Sequence, residues 1–214
     1  MNFEKTELEL TKEMINAGLE KAAQSMAFFT KEKVTIQSTD VQIRPLSSMG
    51  ELLNKEGGTE LTILTTKIMG EIGGVCYLIF SEAEVKELLN VSLPESILND
   101  SEKLAVMSNA ILLEMDNIIV AAVITQLANS LNTKMYGNVP VLTKSVPNGF
   151  DQIFESANKI SDYFLYFKSE FTMENLNINP DFIWLLDRSY LDAIKNIKGT
   201  QNEIINKIRN ESNQ

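Results

Sequence analysis

The chain of 214 residues contains no histidine. That absence removes imidazole acid–base chemistry, Ser-His-Asp hydrolysis and the usual zinc sites together. A single cysteine, Cys76, excludes any disulfide within the chain. It lies in the apolar run Val75-Cys76-Tyr77-Leu78-Ile79-Phe80 with no base beside it, which reads as a small buried hydrophobe rather than a reactive thiol. Basic residues are outnumbered, 19 against 29 acidic ones, and the net charge is -10 with no basic stripe. Bulk electrostatics therefore hold neither nucleic acid nor an anionic membrane, and any phosphate contact has to be local. Long apolar runs are missing too: Ile118 to Ile124, the longest, is too short to span a bilayer, so no membrane insertion is expected. The start, Met1-Asn2-Phe3-Glu4-Lys5-Thr6-Glu7, has neither the basic residues nor the apolar stretch of a secretory signal, and a cytoplasmic protein is expected. Gly70 to Gly74 lacks the lysine and helix start of a nucleotide-binding loop.

What the chain does have is 44% hydrophobic residues, enough for a core without staples, arranged with clear periodicity. Leu8, Leu19, Ala22, Ala23, Met26 and Phe29 recur at helical intervals and predict a helix from about Glu7 to Phe29. Val34 to Ile43 reads as a strand ended by Pro45, and Met49 to Asn54 as a short helix before a turn at Gly57-Gly58. Leu61 to Ile68 and Gly73 to Phe80 are strands too close for a crossover and are paired antiparallel. Ser81 with Glu84 forms a capping-box pattern for a helix from Glu82 to Leu89. Beyond Pro94, Ser101 to Leu131 predicts a second long helix, on the order of 45 Å at 1.5 Å per residue. Strands are then expected over Met135 to Leu142, Lys159 to Phe171 and Asn175 to Leu186, a short helix over Gly149 to Ala157, and helix again over Asp187 to Asn206. Trp184 reads as sheet core, and the methionines from Met107 to Met115 as gap-filling apolar surface.

The order of elements repeats. An offset of 101 residues aligns Glu13 with Glu114, Asn16 with Asn117, Lys33 with Lys134 and Val41 with Leu142. The expected architecture is one α+β domain over residues 1–208, built from halves of about 1–100 and 101–208, with the tail 209–214 frayed. Its strands share one central, mostly antiparallel sheet with pseudo-two-fold symmetry, and the two long helices cover a face. On the second helix Ala110, Glu114, Asn117 and Ala121 share one line, opposite Leu112, Met115, Ile119 and Val123. The apolar line belongs in a core, which leaves Glu114 and Asn117 facing outward between small alanines. Glu-x-x-Asn alone carries little information, since the chain contains seven examples and a solvated helix face explains most of them. Only the copy at Glu114 is followed, after twenty-two residues, by a proline, Pro140.

With those residues the chain resembles the CheC/CheX/FliY family of bacterial chemotaxis phosphatases, whose signature is Asp or Ser, three residues, Glu, two residues, Asn, twenty-two residues, Pro. The second copy matches at Glu114, Asn117 and Pro140 but has Ala110 in the leading position. The first matches at Glu13 and Asn16, with Glu9 leading and Thr39 in place of proline. The resemblance implies a CheC-like fold and hydrolysis of the aspartyl phosphate on a CheY-like response regulator. It makes Glu114 and Asn117 the catalytic pair, Pro140 a site-shaping residue, and Glu13 with Asn16 a second or vestigial site. In that division of labour Asn117 orients the attacking water and Glu114 pairs with the partner's lysine. No cofactor or metal of its own is implied, because the regulator supplies the magnesium ion. A non-catalytic adaptor of the same fold, binding a response regulator, a CheD-like deamidase or a flagellar switch component, is the alternative. Either a monomer or a homodimer is compatible, and an oligomeric scaffold joined through an exposed sheet edge is a third reading.

Overall fold

The computed structural model describes residues 5–30, 33–50, 60–145, 160–197 and 201–212. In chain order the elements are α1 (Lys5–Thr30), β1 (Thr35–Pro45), a 3-10 turn (Leu46–Ser48), β2 (Leu61–Gly70) and β3 (Gly74–Ser81). They continue with α2 (Glu82–Ser92), α3 (Glu95–Leu98), α4 (Ser101–Leu131), β4 (Met135–Gly137), β5 (Val141–Ser145) and β6 (Tyr163–Met173). The chain closes with β7 (Leu176–Ile178), β8 (Asp181–Leu186), α5 (Arg188–Lys195) and α6 (Gln201–Ser212).

The strands form one antiparallel sheet in the order β1-β6-β8-β3-β2-β4, with β5 continuing the β4 edge along β2 and β7 beside β6. This order explains the repeat in the sequence. The first strand of each half pairs with the second strand of the other: β1 with β6, and β4 and β5 with β2. The third strands, β3 and β8, meet at the centre with Cys76 opposite Trp184. The halves are interlocked, because each lends its edge strand to the other.

The helices α1 and α4 lie on one face, α1 over β1 and α4 over β2 and β4. Between them and the sheet sits a core that includes Met14, Ile15 and Leu19 from α1, Leu112, Ile119 and Val123 from α4, and Phe80, Phe167, Phe182 and Trp184 from the strands. Each fully buried aliphatic or aromatic side chain of this kind contributes roughly 1.5–3 kcal/mol. The two helices cross at Gly18, where a Cβ would stand 2.6 Å from the Val123 Cα, so only glycine allows that approach. Alternate residues of the sheet, among them Ile63, Tyr77, Phe164 and Ile183, are buried on the opposite face with Met49. Burial on both faces explains why β3 reads as an uninterrupted apolar run. By length and composition α4 would pass for a membrane-crossing helix, although half of its apolar window is buried inside the protein.

Two strands expected to be continuous are broken. Met135 to Leu142 divides into β4 and β5 around Asn138-Val139-Pro140, and Asn175 to Leu186 into β7 and β8 around Asn179-Pro180. In both places proline has no N–H to give to a ladder. The last helical region is two helices, α5 and α6, the second reaching Ser212. The capping box is present: the Glu84 N–H donates to Ser81 Oγ at 3.3 Å and the Ser81 N–H to Glu84 Oε2 at 2.8 Å. Of the helix expected over Met49 to Asn54, Met49 and Gly50 are helical. Its remainder, the Gly57-Gly58 turn and the helix expected over Gly149 to Ala157 lie outside the described residues. Trp184 is buried, whereas the methionines divide: Met115 is buried and Met107 is exposed.

Candidate functional site

The helix α4 starts at Asp100, whose side chain accepts from the Lys103 N–H, and ends at Asn132 in a left-handed conformation. Its rotation is set by the burial of Leu112, Met115, Ile119 and Val123, which turns Ala110, Glu114, Asn117 and Ala121 to solvent. Facing them is the break in the edge strand. Thr66 and Lys67 of β2 stand opposite three residues, Asn138, Val139 and Pro140, so the edge carries one extra residue and bulges. The Asn138 N–H donates to the Lys67 carbonyl at 2.8 Å, and Pro140 donates nothing. At Gly137 an added Cβ would meet Thr66 Cγ2 at 3.1 Å and Ile124 Cδ1 at 3.3 Å, which shows how closely this wall approaches α4.

Ala110, Leu113, Glu114 and Asn117 on one side and Gly137, Asn138, Val139 and Pro140 on the other line an open groove of about 300 Å³. Glu114 and Asn117, three residues apart on the helix, are thus brought to one groove with the distant Pro140. Neither Glu114 nor Asn117 makes a side-chain hydrogen bond or ion pair with any described residue. The groove therefore presents one carboxylate and, a turn later, one amide with a donor and an acceptor both available. Its surroundings are apolar: Val139 is 78% exposed and Val106, one turn before Ala110, 70%.

The first motif copy is arranged differently. Glu13 and Asn16 are half-buried and line a larger groove, of about 690 Å³, between α1 and the segment Val34 to Ser38. Asn16 Oδ1 accepts two hydrogen bonds from Ser38, one from the N–H at 3.0 Å and one from the hydroxyl at 2.6 Å. Both lone pairs of that oxygen are occupied, so the amide cannot also accept from a water. Ser38 is the repeat counterpart of Val139, which has no hydroxyl and whose N–H already donates to Asn138 Oδ1 at 2.8 Å. Thr39, at the position equivalent to Pro140, keeps β1 on its neighbour through a hydroxyl bond to the Lys168 carbonyl at 3.2 Å. The asymmetry between the copies thus rests on Ser38, Val139 and Asn138, none of which the motif includes. The 101-residue alignment that pairs Ser38 with Val139 is the signal that could have found them.

Beneath the second groove lies a group the motif does not mention. Asp116, between Glu114 and Asn117 in sequence, is wholly buried and accepts from the Thr66 hydroxyl at 2.6 Å, while its other oxygen has no partner. Burial pushes its carboxyl up to about 6, against a smaller lowering by the Thr66 bond. The Cys76 thiol is likewise pushed well up, by burial first and then by the Asp116 charge, with the Trp184 indole opposing. This agrees with the inert, buried character expected of Cys76. No three His, Cys, Asp or Glu side chains are placed to hold a metal ion among the described residues.

No family model matches the sequence, and neither does any curated protein. Solved structures do match. FliY from Thermotoga maritima superposes with a TM-score of 0.68 at 14% identity, over 97% of this chain and 100% of that one. A FliG–FliM complex from H. pylori gives 0.60 at 11% identity, over 89% and 100%. The chemotaxis protein CheX from Desulfovibrio desulfuricans gives 0.50 at 9% identity, over 82% and 99%. The chain has the CheC/CheX/FliY fold, an α+β sheet of antiparallel strands with long helices on a face. At these identities the likeness is one of fold.

Proposed function

We propose that this protein hydrolyses the aspartyl phosphate of a CheY-like response regulator. The observation that carries the reading is the state of Asn117: an amide held on a rigid helix in an open groove, unpaired, one turn from an unpaired carboxylate and opposite Pro140. Phosphoryl transfer gains mainly from positioning and charge stabilisation. The phosphorylated regulator already carries its acyl phosphate, a magnesium ion and a lysine; what it needs is a held water. Asn117 accepts from that water through Oδ1 and donates to it through Nδ2, aiming its lone pair at phosphorus without titrating. The water's oxygen bonds to phosphorus, the acyl P–O bond breaks, the regulator's aspartate leaves as carboxylate, and both water protons stay on the inorganic phosphate released, so no protein base is needed. Glu114 pairs with the regulator's lysine and seats the helix so that the amide enters the site. Pro140 acts through the backbone, keeping the edge strand bulged away from the amide. Glu13 and Asn16 take no part, because Ser38 engages the amide. A regulator as substrate implies a cytoplasmic protein.

A second reading has its own support. Ala110 stands where the family signature has Asp or Ser, and the fold recurs in a FliM described in complex with FliG. An adaptor would use the same apolar-rimmed groove to bind a regulator, a CheD-like deamidase or a switch component without hydrolysis. Pull-down of the regulators of the source organism, followed by a dephosphorylation time course in magnesium, separates the two. A shortened phosphate lifetime supports the phosphatase; tight binding with an unchanged lifetime supports the adaptor.

A further inference from the structure

Asp116 is an unusual residue to find at the bottom of this site. A carboxylate with no exposed surface, one hydrogen bond and one oxygen without a partner is costly, and an alanine would fill the same helical position without that cost. Its single bond runs to Thr66, and Thr66 touches both walls of the groove. The Thr66 hydroxyl donates to α4 at Asp116, next to Asn117, while its methyl lies where a Cβ on Gly137 would meet it at 3.1 Å. One residue further along β2, the Lys67 carbonyl receives the Asn138 N–H that anchors the bulge. We propose that Asp116 and Thr66 are a positioning pair, which fixes the rotation of α4 against the β2–β4 wall and so sets where Glu114 and Asn117 point. This inference rests on the phosphatase reading for its effect on rate, but not for its geometry.

A bond to an ionised acceptor is shorter and roughly twice as strong as a neutral one. Protonation of Asp116 therefore loosens the pair, and burial brings that protonation within reach of pH 6. The groups facing Asp116 across the interface are the Thr66 hydroxyl on β2 and the Cys76 thiol on β3, which stays neutral over this range. Among the described residues no charged side chain on α1 or the sheet acts on the Asp116 carboxyl. Its titration is then a property of the pair itself. Asp116→Asn keeps the shape and an oxygen to accept from Thr66, but cannot titrate; Thr66→Val removes the donor, and Thr66→Ser restores it.

The test has two readouts. The first is the Asn117 side-chain amide resonance of the full chain between pH 5 and 8, which requires no partner. It should shift with a midpoint near 6 in the wild type and stay flat in Asp116→Asn. A flat wild-type resonance, or the same titration in Asp116→Asn, overturns the positioning pair whether or not the protein is a phosphatase. The second is the dephosphorylation rate of a regulator at pH 7.5. Misplacing the amide lowers kcat on the order of tenfold in Thr66→Val with KM nearly unchanged, and Thr66→Ser returns it to within about twofold. Where the wild type is active, an equal kcat in Thr66→Val also overturns it. Absence of any wild-type activity, with the amide titration present, sinks the phosphatase reading and leaves the pair standing.

Discussion

The buried carboxylate makes a quantitative demand on stability. In the fold Asp116 binds its proton up to about pH 6, whereas its ordinary value is 3.8. Between those values the folded chain holds a proton that the unfolded chain has released, so this group's contribution to stability is fully present below 3.8 and is lost as pH rises through about 6. At about 1.4 kcal/mol per pH unit the whole loss is on the order of 3 kcal/mol. Near the isoelectric point of about 4.6 the chain carries little net charge and tends to associate, which places the useful window above it. From pH 5 to pH 8 roughly 1.4 kcal/mol of the loss remains to be seen. Asp116→Asn removes it. The new amide hydrogens have no partner and shift the variant's stability by an amount that does not vary with pH, so the difference in slope isolates the carboxyl. Urea unfolding followed through Trp184, the single and buried tryptophan, reads both proteins. The wild type should lose about 1.4 kcal/mol relative to the variant between pH 5 and 8, mostly below pH 7. Stability curves that run parallel for the two proteins would refute the argument, and so would a wild type that gains on the variant.

Other consequences are simpler to check. Val139→Ser supplies the hydroxyl by which Ser38 captures Asn16, and one such bond, worth about 1 kcal/mol, should lower the dephosphorylation rate about fivefold. Glu114→Gln, which removes a docking charge and leaves the amide in place, should raise KM for the regulator several-fold while kcat changes little. Gly18→Ala places a methyl 2.6 Å from a backbone atom of α4 rather than from a mobile side chain. It should cost about 1–3 kcal/mol, or on the order of 5 °C in Tm by calorimetry.

Much of this architecture was legible because its causes are local or periodic. The helix over Ser101 to Leu131 follows from a long run of helix-compatible residues with no proline or glycine, and the outward line Ala110, Glu114, Asn117 and Ala121 follows from the burial of the opposite line. The 101-residue repeat foreshadows a sheet in which each half lends its first strand to the other. Less legible were features that depend on what lies across the interface. Pro140 and Pro180 are visible as residues, but where a strand breaks is settled by its neighbour's ladder. Asn16 and Asn117 look alike in their helices; the capture of one by Ser38 is a contact between residues 22 apart that only the packed fold creates. Asp116 falls on the buried side of its helix, four residues after Leu112 and three before Ile119, but only the packed fold shows that the hydroxyl of Thr66 meets it there.

In the phosphatase proposed above, Asn117 acts on a partner's phosphate. The most direct measurement compares the phosphate lifetime of a cognate response regulator in magnesium with no addition, with the wild-type protein and with Asn117→Ala. Because the amide is exposed and unpaired, its removal should leave Tm and binding to the regulator within error of the wild type. The lifetime should be shortened by the wild type and restored by Asn117→Ala to that of the regulator alone. A variant as active as the wild type, or a wild-type protein that binds its regulator and leaves the lifetime unchanged, would rule out this role for Asn117.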